Sequence, residues 1–220
     1  MNQQLFKIRV WDLPTRVFHW GAVALVIMAY ITWRFNWMDW HVRVGEVLLA
    51  LVLFRILWGV CGSDTARFAR FIASPRQGAH HLAHLLRREP DQQVGHNPAG
   101  GWMVVLLLVL LLAETLTGLY VNNDVSDEGP FTELVPAAVA NAITALHAIL
   151  WDALLAAIVL HLMAILTYAF AKGQNLVQPM ITGGKMLPSG VPQPHMAGAV
   201  RAFVLSACSA LVAAALARWL

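Results

Sequence analysis

The chain has 220 residues, of which 59% are hydrophobic and only 12% charged, with a formal net charge of +3. This balance lies far outside that of a soluble domain and reads as an all-α integral membrane protein. So apolar a chain leaves little surface to read a duplex, which excludes nucleic acid as a partner and makes the positive excess a matter of membrane topology. Its two cysteines, Cys61 and Cys208, lie far apart, with no Cys-x-x-Cys-His for a covalent haem and no four-cysteine set for an iron–sulfur cluster. A Gly-x-Gly-x-x-Gly nucleotide fingerprint is also lacking.

In chain order, residues 1–15 are of mixed polarity, carry Lys7 and Arg9, and end in Pro14 and Thr15, which mark a helix start. No small-x-small cleavage site follows, and the next apolar stretch is too long and too rich in tryptophan for a signal peptide. That stretch predicts a helix over 16–34 with His19 in its first turn, followed by a turn bearing Trp33, Trp37 and Trp40, as at a membrane–water interface. A second helix is predicted over 39–60, with His41 in its first turn and Gly45 one turn later on the same face. Gly45 either lets a flat macrocycle approach the backbone or serves close helix packing. Arg55, near the far end, is costly in a bilayer. It either meets an anionic group such as a haem propionate or snorkels to the surface.

Residues 62–98 form the longest polar segment, with Arg67, Arg70, Arg76, Arg87 and Arg88, and part of it suits an amphipathic helix on an anionic leaflet. His80 and His84 have the spacing of a metal pair, but no nearby carboxylate or cysteine completes a site, so His80, His81 and His84 read as a solvated cluster. A third helix over 101–121 has no histidine and forms a wall. Glu114 within it, and Asp152 in the fourth helix (141–171), are intramembrane acids suited either to proton or quinone chemistry or to hydrogen bonding with a neighbouring helix. The loop 122–140 between them holds Asp124, Asp127, Glu128 and Glu133 and no basic residue. A Gly/Pro-rich tail with Lys172 and Lys185 leads to a last apolar segment, 197–220, read as a fifth transmembrane helix facing lipid or a partner.

The chain is organised around residues 146–168, which carry His147 and His161. Fourteen helical steps bring the second imidazole back to within about 40° of the first, about 21 Å along the axis. A single intramembrane histidine would be read as facing a polar cavity. This pair, matched by His19 and His41, reads as haem ligation near each membrane surface. With the N-terminus inside, the inner segments hold ten lysines and arginines, while the outer ones hold Arg34, Arg43 and Arg218. His19 and His161 then lie at the inner depth, and His41 and His147 at the outer. Each pair suits one b-type haem. Filling both axial positions leaves no open site for oxygen, so two such haems make a transmembrane electron wire.

The runs RVWDLPTRVFHW, HVRVGEVLLALVLFRILWG and GHNPAGGW, with the His147/His161 spacing, resemble the bacterial cytochrome b561 family, which includes the b-type cytochrome subunits of nickel–iron hydrogenases. The resemblance covers approximately residues 5–185. It implies a four-helix transmembrane di-haem bundle over residues 1–185, with residues 186–220 as a tail and additional helix. It also implies His19, His41, His147 and His161 as the iron ligands, with Gly45 and Arg55 beside the haem. The expected function is electron exchange between the quinone pool and a periplasmic redox protein (a c-type cytochrome, flavoprotein or hydrogenase) in the bacterial inner membrane, with lipid around the chain and a homo- or hetero-oligomer open. Two other readings compete. One is a superoxide:quinone oxidoreductase, which the acidic outer loop disfavours because superoxide is an anion. The other is a haem-free anchor or metal transporter, which gives no reason for four histidines at two depths.

Overall fold

The computed structural model describes residues 4–83, 93–122 and 129–218. The chain is a multi-pass membrane protein: five helices are long and apolar enough to cross a bilayer, α1 (Leu13–Arg34), α2 (Met38–Cys61), α5 (Pro98–Gly118), α6 (Ala137–Ala171) and α8 (Ala199–Arg218). Short α3 (Phe68–Phe71), α4 (Pro75–Ala83) and α7 (Val177–Thr182) lie between them, with strands β1 (Leu5–Arg9) and β2 (Gly184–Pro188). The chain forms two compact units, one of Met1–Val17, Leu57–Leu106 and Ala157–Ala202, the other of Phe18–Ile56, Leu107–Ala156 and Phe203–Leu220. Outward positions of α6, such as Ile149, Leu155, Val159, Met163 and Phe170, are exposed and apolar, as a lipid-facing surface requires.

In the first unit, β1 and β2 pair antiparallel, with Leu5 opposite Pro188 and Ile8 opposite Lys185. Ile8, Val10, Trp11 and Leu187 form the core under this ribbon. Gly183, at φ 82°, ends α7, and its carbonyl accepts from the amides of Val10 and Trp11 at 2.9 and 3.1 Å. The ribbon leads directly into α1. Asp12, 3% exposed, caps α1: its Oδ1 accepts the Thr15 amide at 2.7 Å, while its Oδ2 accepts the indole N–H of the buried Trp58 at 2.9 Å. Pro14 sits in the first turn, where a missing N–H costs nothing.

The GHNPAGGW run is explained locally. Gly95 turns at φ 93°, and Asn97 caps α5 by accepting the Gly100 amide at 2.7 Å and donates through Nδ2 to the Tyr168 hydroxyl at 2.8 Å. Pro98 opens the helix. A Cβ on Gly101 would stand 2.7 Å from the Phe71 carbonyl oxygen, so only glycine allows that approach. The third span therefore begins at Pro98 and ends at Gly118, three residues earlier at each end than the apolar run alone suggests.

The segment before α8 is tied to the turn after α2. Ser63 Oγ accepts the Ala197 amide at 2.9 Å, and Asp64 and His195 exchange two bonds, each 3.0 Å. Arg201 donates to the Cys61 carbonyl at 2.9 Å, placing a cation on the last turn of α2. The His195 amide, then the charges of Arg67, Arg70 and His195, hold the Asp64 carboxyl below the usual carboxylate range, against a desolvation penalty that acts the other way. A depressed folded-state pKa gives stability that is present above the unfolded value, about 3.9, and lost as pH falls through the folded one. Amide exchange at His195, corrected for intrinsic rate, should therefore stay slow from neutral pH down past about pH 4 and quicken only below it. Exchange that already quickens well above about pH 4 would show that Asp64 does not control the tie.

In the second unit, α1 ends in a left-handed turn. Asn36 has φ 57°, and the amides of Asn36 and Trp37 return to the carbonyls of Trp33 and Thr32 at 3.0 and 2.8 Å. This is a Schellman cap with asparagine at the left-handed position. It leaves so short a link that α2 starts at Met38 beside the end of α1. Gly21 lets the two helices close, since a Cβ there would meet Leu51 at 3.2 Å. Leu49, Leu119 and Phe131 form the core, and Leu216 of α8 packs on it.

Candidate functional site

The second unit brings together His41 of α2 and His147 of α6, both half-buried and near enough to interact electrostatically. The tight α1–α2 turn sets the first turn of α2 against α1, and there the Nδ1–H of His41 donates to the Ala29 carbonyl at 2.9 Å. The α6 partner is placed by a second device. The Thr144 hydroxyl accepts the Asn122 amide at 3.0 Å, which holds α6 beside the end of α5. One turn further, His147 Nδ1 lies 2.9 Å from the Thr117 hydroxyl. With the hydroxyl's one proton on the Ala113 or Glu114 carbonyl, at 2.8 or 3.0 Å, its lone pair is open to Nδ1–H. On α1, Tyr30 stacks on Trp151 of α6 with centroids 5.8 Å apart and planes at 11°.

Both imidazoles thus spend Nδ1 on a protein acceptor and keep the Nε2 lone pair, the arrangement that orients a metal-binding histidine. Gly45, one turn from His41, opens on empty space, with nothing within 4 Å of an added Cβ. Arg55 is 2% exposed, its guanidinium 5.9 Å from the centre of the Phe18 ring. Glu114 is half-buried, with Oε1 3.4 Å from His147 Nε2 and a buried Oε2 that lacks a hydrogen-bond partner. Asp152 is exposed.

The other two predicted ligands are half-buried on their helices: His19 on α1, edge-on to Trp20 at 4.9 Å, and His161 on α6, in the first unit. Among the described residues no three histidine, cysteine or acidic side chains gather as a metal cluster. A porphyrin supplies four ligands of its own, so two imidazoles suffice for its iron. His80 is exposed on α4, while the His81 side chain, His84, Arg87 and Arg88, and the acids Asp124, Asp127 and Glu128, lie outside the described residues. His96 packs between Trp11 and Phe71, 4.6 Å from each ring.

Five apolar spanning helices define an integral membrane protein, and its second unit holds two half-buried imidazoles whose Nδ1 atoms meet protein partners. The comparison with family models names the cofactor. Residues 10–183 match prokaryotic cytochrome b561, and the chain belongs to that family of membrane electron-transfer proteins that bind b-type haem. No curated protein and no solved structure matched the chain. The residues fit the group: His41 and His147 could offer it Nε2, the latter with the Glu114 carboxyl displaced, and Gly45 opens on empty space.

Sequence reasoning missed Asp12, Trp58 and Thr117. Asp12 had a signal in Asp-Leu-Pro-Thr, an acceptor one residue before a first-turn proline. Thr117 had none.

Proposed function

We propose that the chain carries electrons between the quinone pool and a periplasmic redox protein through two bis-histidine b-type haems, His41 with His147 near the outer surface and His19 with His161 near the inner. The observation that carries this reading is the tying of Nδ1 on both His41 and His147, which leaves two Nε2 atoms on neighbouring helices. When bound, each haem supplies reversible one-electron chemistry at iron. The chain holds it, excludes water from it and sets its charge environment.

Gly45 would give a macrocycle room, and Arg55, held inside the protein, would supply the charge for a propionate. The Glu114 carboxyl stands beside His147 Nε2 and would have to turn away for that nitrogen to hold an iron. Residues 1–185 are the haem domain, and 186–220 are an addition to it. The basic bias places the N-terminus in the cytoplasm and the chain in the inner membrane, with Glu133 and the acidic loop outside, where they suit a partner with a basic face. Quinone is the membrane-side substrate.

The test is the haem-to-protein ratio of the detergent-purified chain with a reduced-minus-oxidised spectrum. Two non-covalent b haems titrating at separate potentials are expected. One haem would leave two of the four histidines structural, and none in a folded, haem-replete preparation would end the reading.

A further inference from the structure

We infer that Thr117 and Gly118, the last two residues of α5, are positioning residues for His147: the hydroxyl fixes the imidazole's rotation and the electron richness of Nε2, and so sets the potential of one haem alone. This rests on reading His147 as an axial ligand. Three observations converge. The Thr117 hydroxyl lies 2.9 Å from His147 Nδ1. The α5 carbonyls of Ala113 and Glu114 lie 2.8 and 3.0 Å from the same hydroxyl and can take its proton, which leaves its lone pair for the ring. At Gly118 an added Cβ would stand 3.3 Å from His147 Cε1 and 3.9 Å from Nδ1, so the missing side chain lets the ring lie against the helix. Together the two residues form a socket, with a polar contact at one edge of the imidazole and bare backbone along the next.

The two outer imidazoles differ in a way that makes this testable. His41 gives its Nδ1 proton to the main-chain carbonyl of Ala29, which no substitution removes. His147 gives its proton to a side chain. Donation from Nδ1–H to an acceptor enriches the opposite nitrogen, and a richer axial nitrogen favours ferric iron. The Thr117 hydroxyl therefore holds the potential of its haem down, and holds the ring in one orientation relative to its partner. The Glu114 carboxyl does not supply this contact, because it faces Nε2 rather than Nδ1.

The experiment is a redox titration with electron paramagnetic resonance on the full-length purified protein, its haem content measured in parallel. T117V keeps the side chain's shape and removes the acceptor. It should retain both haems, move one midpoint to more positive potential, leave the other in place, and alter the low-spin signal of the shifted haem. T117S should restore both. G118A keeps the hydroxyl and pushes on the ring, and it should disturb the same haem. Loss of that one haem in T117V, with the other unmoved, supports the proposal equally. Two unmoved midpoints with both haems bound would overturn it, as would a T117S variant that behaves like T117V. If T117V does not accumulate, G118A decides: a midpoint that fails to move ends the proposal. His147→Ala, run alongside, keeps the questions apart. If that change leaves both haems in place, the ligand assignment has failed; if it removes one while T117V and G118A do nothing, only the socket has.

Discussion

Single replacements of His19, His41, His147 or His161 by alanine should each, on the two-haem reading proposed above, leave the protein with one haem. A b-type haem has no covalent tether, and losing one of two axial bonds leaves it poorly held in detergent. The informative variants are the doubles. Combining His41→Ala with His147→Ala removes both ligands of one haem and should cost no more haem than either change alone. Combining His41→Ala with His161→Ala takes one ligand from each and should leave none. The alternative partnering, His19 with His147 and His41 with His161, predicts the opposite pattern, so haem content of four purified proteins decides between them. The expected partnering follows from depth: two histidines fourteen residues apart on one helix are separated by about 21 Å along it. A haem between two helices needs both its ligands at one level.

The spans and the family were legible because a bilayer simplifies the problem. Apolar length gives the spans, basic residues give the orientation, and each histidine then has a depth. Glu114 was legible as an intramembrane acid, though not as a neighbour of His147, since helix rotation is not written in a uniformly apolar run such as Pro98–Gly118. Thr117 was invisible for a related reason. A threonine in a spanning helix usually bonds to its own carbonyl one turn back, and this one does so as well. Its second contact exists only because the Asn122–Thr144 bond places α6 beside α5.

The β1–β2 ribbon was lost differently. Leu5–Arg9 and Gly184–Pro188 are five residues each, lie near opposite ends of the chain, and carry no turn between them to announce a pairing. One strand sits in a tail whose glycines and prolines read as a linker. Once paired, they close the two ends of the family-matched region over Trp11 and the start of α1, which explains why residues before the first span are structured at all.

The Asp12 carboxyl at that junction should be among the most stability-critical groups in the first unit. Each of its oxygens has a separate task, Oδ1 on the Thr15 amide and Oδ2 on the Trp58 indole. Asp12→Ala removes a helix cap, about 0.5–2 kcal/mol, and strands a buried indole N–H, about 1–3 kcal/mol. A loss of about 1.5–5 kcal/mol is expected from the two together. Asp12→Asn separates the tasks. Its one carbonyl can still cap the helix, but the amide nitrogen then faces the indole nitrogen, donor against donor, so asparagine should recover only part of the loss. Adding Trp58→Phe removes the opposing donor. The second change should therefore cost less in the Asp12→Asn background than in the parent, where it strands Oδ2 instead. Thermal or denaturant unfolding of the detergent-solubilised chain, followed by haem release, measures all four corners of this cycle. Additive costs would mean that Asp12 acts on the α1 terminus alone and that its contact with Trp58 carries no coupling. A positive coupling would identify a polar bond between the first turn of α1 and the last turns of α2 as a fixed point from which the His19 helix is hung.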